Sequence, residues 1–275
     1  MRRKFAFGLG ALALALCGGQ PAAAEDGYDA EEGYDLAQQL ANPIASLISV
    51  PLQFNIDEGF GPDGEGRRSF VNIQPVIPFS VGEDWNLISR TIVPLISQED
   101  IGPGTGKQSG VGDVLQSLFF SPKAPTEGGV IWGVGPVLLM PTATDDLLGA
   151  GKWAAGPTGV VLVQRGPWTA GGLANHLWSF AGDDDRPDIN RTFVQPFASY
   201  TTQDAWTFTL QTETSYDWET EQWTVPVNAV ASKLVRVGPL PVSFFGGVRY
   251  WAEAPEGGPE DWGLRFGMTF LFPRG

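Results

Sequence analysis

The sequence predicts an all-β fold: a transmembrane, antiparallel up-and-down β-barrel of about 12 strands, with a short N-terminal helical segment ahead of it. Three observations carry this. The stretch Trp262-Gly-Leu-Arg-Phe-Gly-Met-Thr-Phe-Leu-Phe272 has a large apolar residue at every second position, while Gly263, Arg265, Gly267, Thr269 and Leu271 fall between them. An apolar face ending in aromatics, opposite a face that holds an arginine and glycines, suits a strand with hydrocarbon outside and a polar lumen inside. Connections between such stretches are alternately short and long, and acidic residues gather in the long ones. Tryptophans stand at strand ends on two levels: Trp85, Trp168 and Trp206 directly after short turns, and Trp218, Trp223, Trp251 and Trp262 at the opposite rim. Two aromatic levels fit two membrane interfaces.

Taken in order, residues 1–24 read as a secretory signal peptide. Arg2, Arg3 and Lys4 precede an apolar run from Phe5 to Cys17 and the cleavage pattern Ala22-Ala23-Ala24. That run is shorter than the roughly 20 residues a spanning helix needs. Residues 25–47 form an acidic lead-in and a short helical segment. The acidic part, 25–35, lacks apolar periodicity and is expected to be mobile. Leu36, Leu40, Ile44 and Leu47 then recur at helical spacing, and Asn42-Pro43 divides the stripe into two helical pieces. These either plug the lumen or lie beneath the barrel on its periplasmic side. Residues 48–275 make the barrel, with strands expected over 48–57, 69–79, 85–97, 109–122, 129–142, 156–165, 168–181, 191–202, 205–216, 223–236, 241–252 and 262–272. The fourth, sixth and eighth are ambiguous in phase, as bulges would make them. Pro75, Pro78, Pro94, Pro136, Pro141, Pro196 and Pro226 fall inside these strands, and each is expected at a bulge or a rim because proline donates nothing to a ladder.

Composition limits the function. The net charge of −14 argues against a nucleic-acid partner. Cys17 lies within the cleaved segment, so disulfides do not stabilise the mature chain. No spacing suits zinc and no cofactor motif is present. Gly102-Pro-Gly-Thr-Gly106 lacks the lysine and the strand–helix context of a phosphate loop. Asp183-Asp-Asp185 with Asp188, and Asp145-Asp146, do not match a spaced calcium loop and read as solvated acidic loops.

The candidate lumen residues are Arg90, Arg249 and Arg265, each on the less apolar face of its strand, with Glu213 and Asp113 as the acids within strands. Hairpin register brings Arg249 and Arg265 near one another, so a carboxylate must neutralise them. They are expected either to form a charged constriction that orients a small polar or anionic solute or to be a structural ion-pair network. His176 is the single histidine, and Ser179, three residues on, points to the opposite strand face, so no nucleophile and base come together.

Several runs resemble one family. Asn42-Pro-Ile-Ala-Ser-Leu-Ile-Ser-Val-Pro-Leu-Gln53, Pro75-Val-Ile-Pro-Phe79, Trp85 to Pro94, Gly133-Val-Gly-Pro136, Pro141 to Asp146, Gly149 to Pro157 and Trp178 to Asp183 look like a widespread group of bacterial outer-membrane barrels labelled transporters. The group is related to the barrel family named after the phenol meta-degradation pathway and is often mislabelled neuromedin U. Gly267, Phe270 and Phe272 likewise resemble the C-terminal signal read by the barrel-assembly machinery, although Pro273-Arg274-Gly275 follow. The resemblance implies residence in the outer membrane, among its lipids, and passage or binding of small molecules rather than enzymatic work. The alternatives are an outer-membrane lipid-modifying enzyme and a structural periplasmic β-protein.

Overall fold

The computed structural model describes residues 29–272. The expected signal peptide and the three residues after Phe272 lie outside them. The strands join in one antiparallel sheet whose last strand, β15 (Trp262–Phe272), pairs with the first, β1 (Ile48–Phe60), from Ile48↔Phe272 to Ile56↔Leu264. The sheet is therefore a closed barrel with no free edge.

Fifteen segments make twelve staves, because three staves are interrupted. The stave of β2 (Gly66–Ile73) and β3 (Val76–Val81) breaks at Gln74-Pro75. After β4 (Trp85–Glu99), the stave of β5 (Lys107–Val111) and β6 (Val114–Pro122) breaks at Gly112-Asp113. Leu95 pairs with Val111 but Ile92 with Leu115, so one residue is extra here, the bulge expected of the fourth strand. β7 (Val130–Met140), β8 (Lys152–Arg165), β9 (Trp168–Gly182) and β10 (Asn190–Thr201) follow. β8 has its own register shift at Trp153/Ala154, whereas β10, the eighth strand, pairs without one. The ninth stave, β11 (Trp206–Thr212) and β12 (Thr214–Asp217), breaks at Glu213. In the frame of Thr212↔Val227 and Ser215↔Thr224, Glu213 falls opposite Pro226, which has no N–H to complete the pair, although Glu213 N still donates to Pro226 O at 3.2 Å. β13 (Gln222–Val237) and β14 (Leu240–Glu253) complete the ring.

The prolines are only partly confined as expected. Pro75 sits at a break and Pro226 at a register shift, but Pro78 and Pro196 lie in continuous register. Pro136 and Pro157 face each other across β7 and β8. Two missing donors are thus gathered in one place, and the ladders on either side, β6–β7 and β8–β9, skip there. Gly135 and Gly156 allow the adjacent backbones to close in: a Cβ on them would stand 2.0 Å from Leu118 O and 1.8 Å from His176 O.

The outer face is the apolar one. Phe208, Leu210, Phe244, Val248, Leu264 and Phe266 are exposed on it, and Phe54 stacks on Phe266 across the closing seam at 5.3 Å. Exposed Trp85, Trp168 and Trp206 mark the rim of short turns, and Trp218, Trp223 and Trp262 the rim of long loops. Trp251 departs from this expectation: it turns inward and donates its indole N–H to Asp57.

At the short-turn rim stands α1 (Ala30–Leu40), an amphipathic helix that begins inside the stretch expected to be mobile. Leu36 and Ala37 pack with Leu47, Ala205, Leu234 and Leu271, and Leu40 joins them. Gln38 donates to Gly166 O at 2.7 Å, while Gln164 donates to Gln38 O at 2.9 Å. The second helical piece does not form. Asn42 accepts Ile44 N through its side chain, and the segment runs as turns into the lumen, where Ile44 is buried among Ile88, Phe119, Val160, Leu162 and Leu173. Of the two positions expected for this segment, it takes the plug.

Candidate functional site in the barrel lumen

Period two turns the polar residues of β1, Gln53, Asn55 and Asp57, toward the interior, and pairing with β15 sets Asn55 opposite Arg265. Arg265 in turn pairs with Gly247 of β14, and Arg249 with Gly263. The two arginines are therefore diagonal neighbours, offset by two residues rather than directly opposed. Gly263 leaves room at this level, since a Cβ there would meet the Asp57 carboxylate at 2.3 Å.

The acids neutralise the pair. Glu213, aimed inward from the break opposite Pro226, accepts both terminal nitrogens of Arg265 at 2.8 and 2.7 Å and one of Arg249 at 3.2 Å. Asp57 accepts Arg249 Nη1 at 2.9 Å and Trp251 Nε1 at 3.1 Å. Asn55 Oδ1 takes a hydrogen bond from each guanidinium, and Asn228 Oδ1 takes Arg249 Nε. The guanidinium of Arg249 also lies 5.2 Å from the Trp251 ring centroid and 5.8 Å from that of Phe70. Arg249, Arg265, Asn55 and Asp57 are almost wholly buried. The layer holds two cations and two anions and is neutral.

Two more arginines reach the lumen without a carboxylate in ion-pair range among the described residues. Arg68, level with Asp57 across β1 and β2, donates to Gln98 Oε1 at 2.9 Å and lies 5.0 Å from the Phe60 ring centroid. Arg90 donates to Gln74 Oε1 at 3.1 Å. A cavity of about 290 Å³ opens beside Arg90, bounded by α1 and Leu47 toward the short-turn rim and by Gln53, Gln74 and Arg265 toward the charged layer.

Of the residues singled out in the sequence, Arg249, Arg265 and Glu213 are thus in contact, and Arg90 lines the adjoining cavity. Asp113 lies apart from them. At the β5/β6 bulge it accepts Ala143 N at 3.2 Å and Ala150 N at 2.6 Å, pinning the long loop after β7. Asp57 and Arg68 escaped the sequence reading because they stood at the expected end of the first strand, 48–57, and just before the expected start of the second, 69–79, whereas β1 continues to Phe60 and β2 begins at Gly66. The signal was present in the alternation Gln53, Asn55, Asp57.

The histidine belongs to the outer wall. His176 bonds Thr192 Oγ1 at 2.8 Å and Asn190 Oδ1 at 3.1 Å and packs on Trp178. Ser179 instead donates to Asp188 and accepts Ile189 N. In the loops, Asp145 and Asp183 accept backbone N–H groups of Leu147 and Asp185, and Arg186 bridges to the carbonyls of Asp146, Gly149 and Ala150.

These features define a closed twelve-stranded barrel with an apolar exterior, an interior divided between apolar clusters and a charged network, and an N-terminal helix across one mouth. Among solved structures, the chain is similar to an outer membrane channel from Pseudomonas putida F1, with a TM-score of 0.65 at 13% identity over 82% of this chain and 96% of that one. It is also similar to the NanC porin, with a TM-score of 0.46 at 12% identity over 82% of this chain and 100% of that one. The first likeness shows the fold. No family model matches the chain, and no curated protein does.

Proposed function

We propose that this protein is a non-enzymatic outer-membrane channel through which small polar or anionic solutes pass passively and selectively. The motifs quoted above support placing it with the transporter-labelled barrels related to the phenol meta-degradation family. On this reading residues 1–24 direct export and are removed, the assembly machinery inserts the barrel among outer-membrane lipids, the short turns face the periplasm and the long loops face outward. The fold of the Pseudomonas channel and the apolar exterior both favour this placement.

The observation that carries the reading is the charge layout of the lumen. Arg68 stands level with Asp57 toward the long-loop mouth and Arg90 toward the other, and together they add two positive charges to a network whose own two cations and two anions cancel. A solute crossing the lumen therefore meets a net positive charge, which favours anions. Twelve strands lie between the eight whose side chains fill the interior and the sixteen or more that leave an aqueous channel, so the conductance is expected to be small.

Reconstitution in planar bilayers tests this. The expected result is a small current that prefers anions, larger when residues 29–40 are removed, with the preference reduced in Arg68→Gln and Arg90→Gln. No current from either the intact or the shortened chain, or an anion preference untouched by both substitutions, would overturn it.

A further inference from the structure

The cavity beside Arg90 has two chemically distinct sides. Much of its polar wall is already self-satisfied: Gln195 bonds Gln211 at 3.0 Å, Ser199 bonds Thr209 at 2.8 Å, and Gln53 meets Gln74 at 3.5 Å. The Arg265 guanidinium reaches the same space but is held bidentately by Glu213. Arg90 has five N–H donors and spends one of them, on a neutral carboxamide. It is the lining cation available to a ligand. Facing it are the apolar residues Leu40 and Leu47 with Leu173, Phe197, Val230 and Phe245 of the walls.

From this juxtaposition we infer that the cavity is a binding site for a small monocarboxylate with an apolar body, its carboxylate on Arg90 and its hydrocarbon against α1 and the aromatic wall. The inference rests on the channel reading and adds the class of solute that pauses there. A carboxylate matches the planar fork of a guanidinium and accepts two parallel hydrogen bonds from it. The apolar body replaces water on surface that the protein leaves greasy. At 290 Å³ the cavity is at the lower edge of the usual range for small-molecule sites, about 300–1,000 Å³, which limits the ligand to a short chain or a single ring. A heavily hydroxylated acid of the same charge would find few unsatisfied partners for its hydroxyls.

The experiment is calorimetric titration of the purified full chain in detergent micelles with hexanoate, acetate, 1-hexanol and gluconate, with single-channel current recorded from the same preparation. Hexanoate is expected to bind saturably at one site, and acetate, which lacks the body, and hexanol, which lacks the charge, each roughly tenfold or more weaker. Arg90→Gln should weaken hexanoate by about ten- to a hundredfold, the scale of lost charge-assisted hydrogen bonds. Leu40→Ser should weaken hexanoate and leave acetate unchanged, and it reads the apolar half of the site even if Arg90→Gln does not fold. Equal hexanoate affinity in wild type and Arg90→Gln, gluconate binding as tightly as hexanoate, or no saturable hexanoate binding would overturn the assignment. A channel that conducts yet shows none of this binding refutes the site and leaves the channel standing, whereas absent current strikes at the function itself.

Discussion

Glu213 is the residue on which the lumenal layer turns, since it is the carboxylate that touches both buried arginines. Glu213→Gln preserves the shape and deletes one anion. Breaking a buried ion pair costs about 3–5 kcal/mol, and partial exposure of the Glu213 side chain, 23%, places this case near the lower bound. Thermal unfolding in micelles is expected to fall accordingly, and the current should become more anion-selective because the layer gains a net positive charge. The arginines and this acid were legible in the sequence because an interior charge interrupts an otherwise apolar or small-residue alternation. Asn55 and Asn228 were not, since an isolated amide in a strand carries no such contrast. Asp113 looked equivalent to Glu213 but falls at a bulge, and a bulge reverses the inside–outside alternation on which the reading depends.

Among the elements, the long loops are held by polar contacts beside a few apolar anchors, the buried Leu148 and the partly buried Ile189 among them. Asp188 is bound by the Ser179 hydroxyl at 3.0 Å and the Lys152 ammonium at 3.3 Å, and these hold its carboxyl below the usual range. A carboxyl whose folded pKa is depressed stabilises the loop above its unfolded pKa, about 3.9, and loses that contribution as pH falls through the lower folded value. The hydrogen-exchange protection of residues 183–189, taken relative to the intrinsic rate at each pH, is therefore expected to be high near pH 6 and to fall below pH 4. In Asp188→Asn protection should be low at both values, and a protection profile unchanged by this substitution would count against the assigned role. Element positions were readable where turns are short, because Gly166-Pro167 and Gly238-Pro239 leave the chain no latitude. They were misread at the other rim, where β1, β2 and β8 run several residues further than their polar sequence suggests. Tertiary pairing, such as Arg67–Glu99 at 2.6 Å, extends those strands into water. Helix α1 was half seen: the stripe from Leu36 was visible, but its start at Ala30 depends on docking against the barrel, which local sequence does not encode.

For the molecule as a whole, closure is the property on which every lumenal contact depends. Gly267 lies at the seam, and a Cβ there would stand 2.0 Å from Leu52 O on β1. Gly267→Val is expected to force the strands apart at about 1–3 kcal/mol or more, seen as loss of the heat-modifiable folded band on a gel. Gly246→Ala, where a Cβ meets nothing within 4 Å, should leave that band intact. The architecture was the most legible level of all, because strand number, alternating connections and aromatic ends agree independently. Helix α1 adds an order of events. Its berth is built from Ala205, Leu234 and Leu271, contributed by the β10–β11 turn, β13 and the final strand, so the stopper has nowhere to settle until synthesis and pairing are finished. An unfinished ring is a bottomless one, and a seated helix marks a barrel that has already shut.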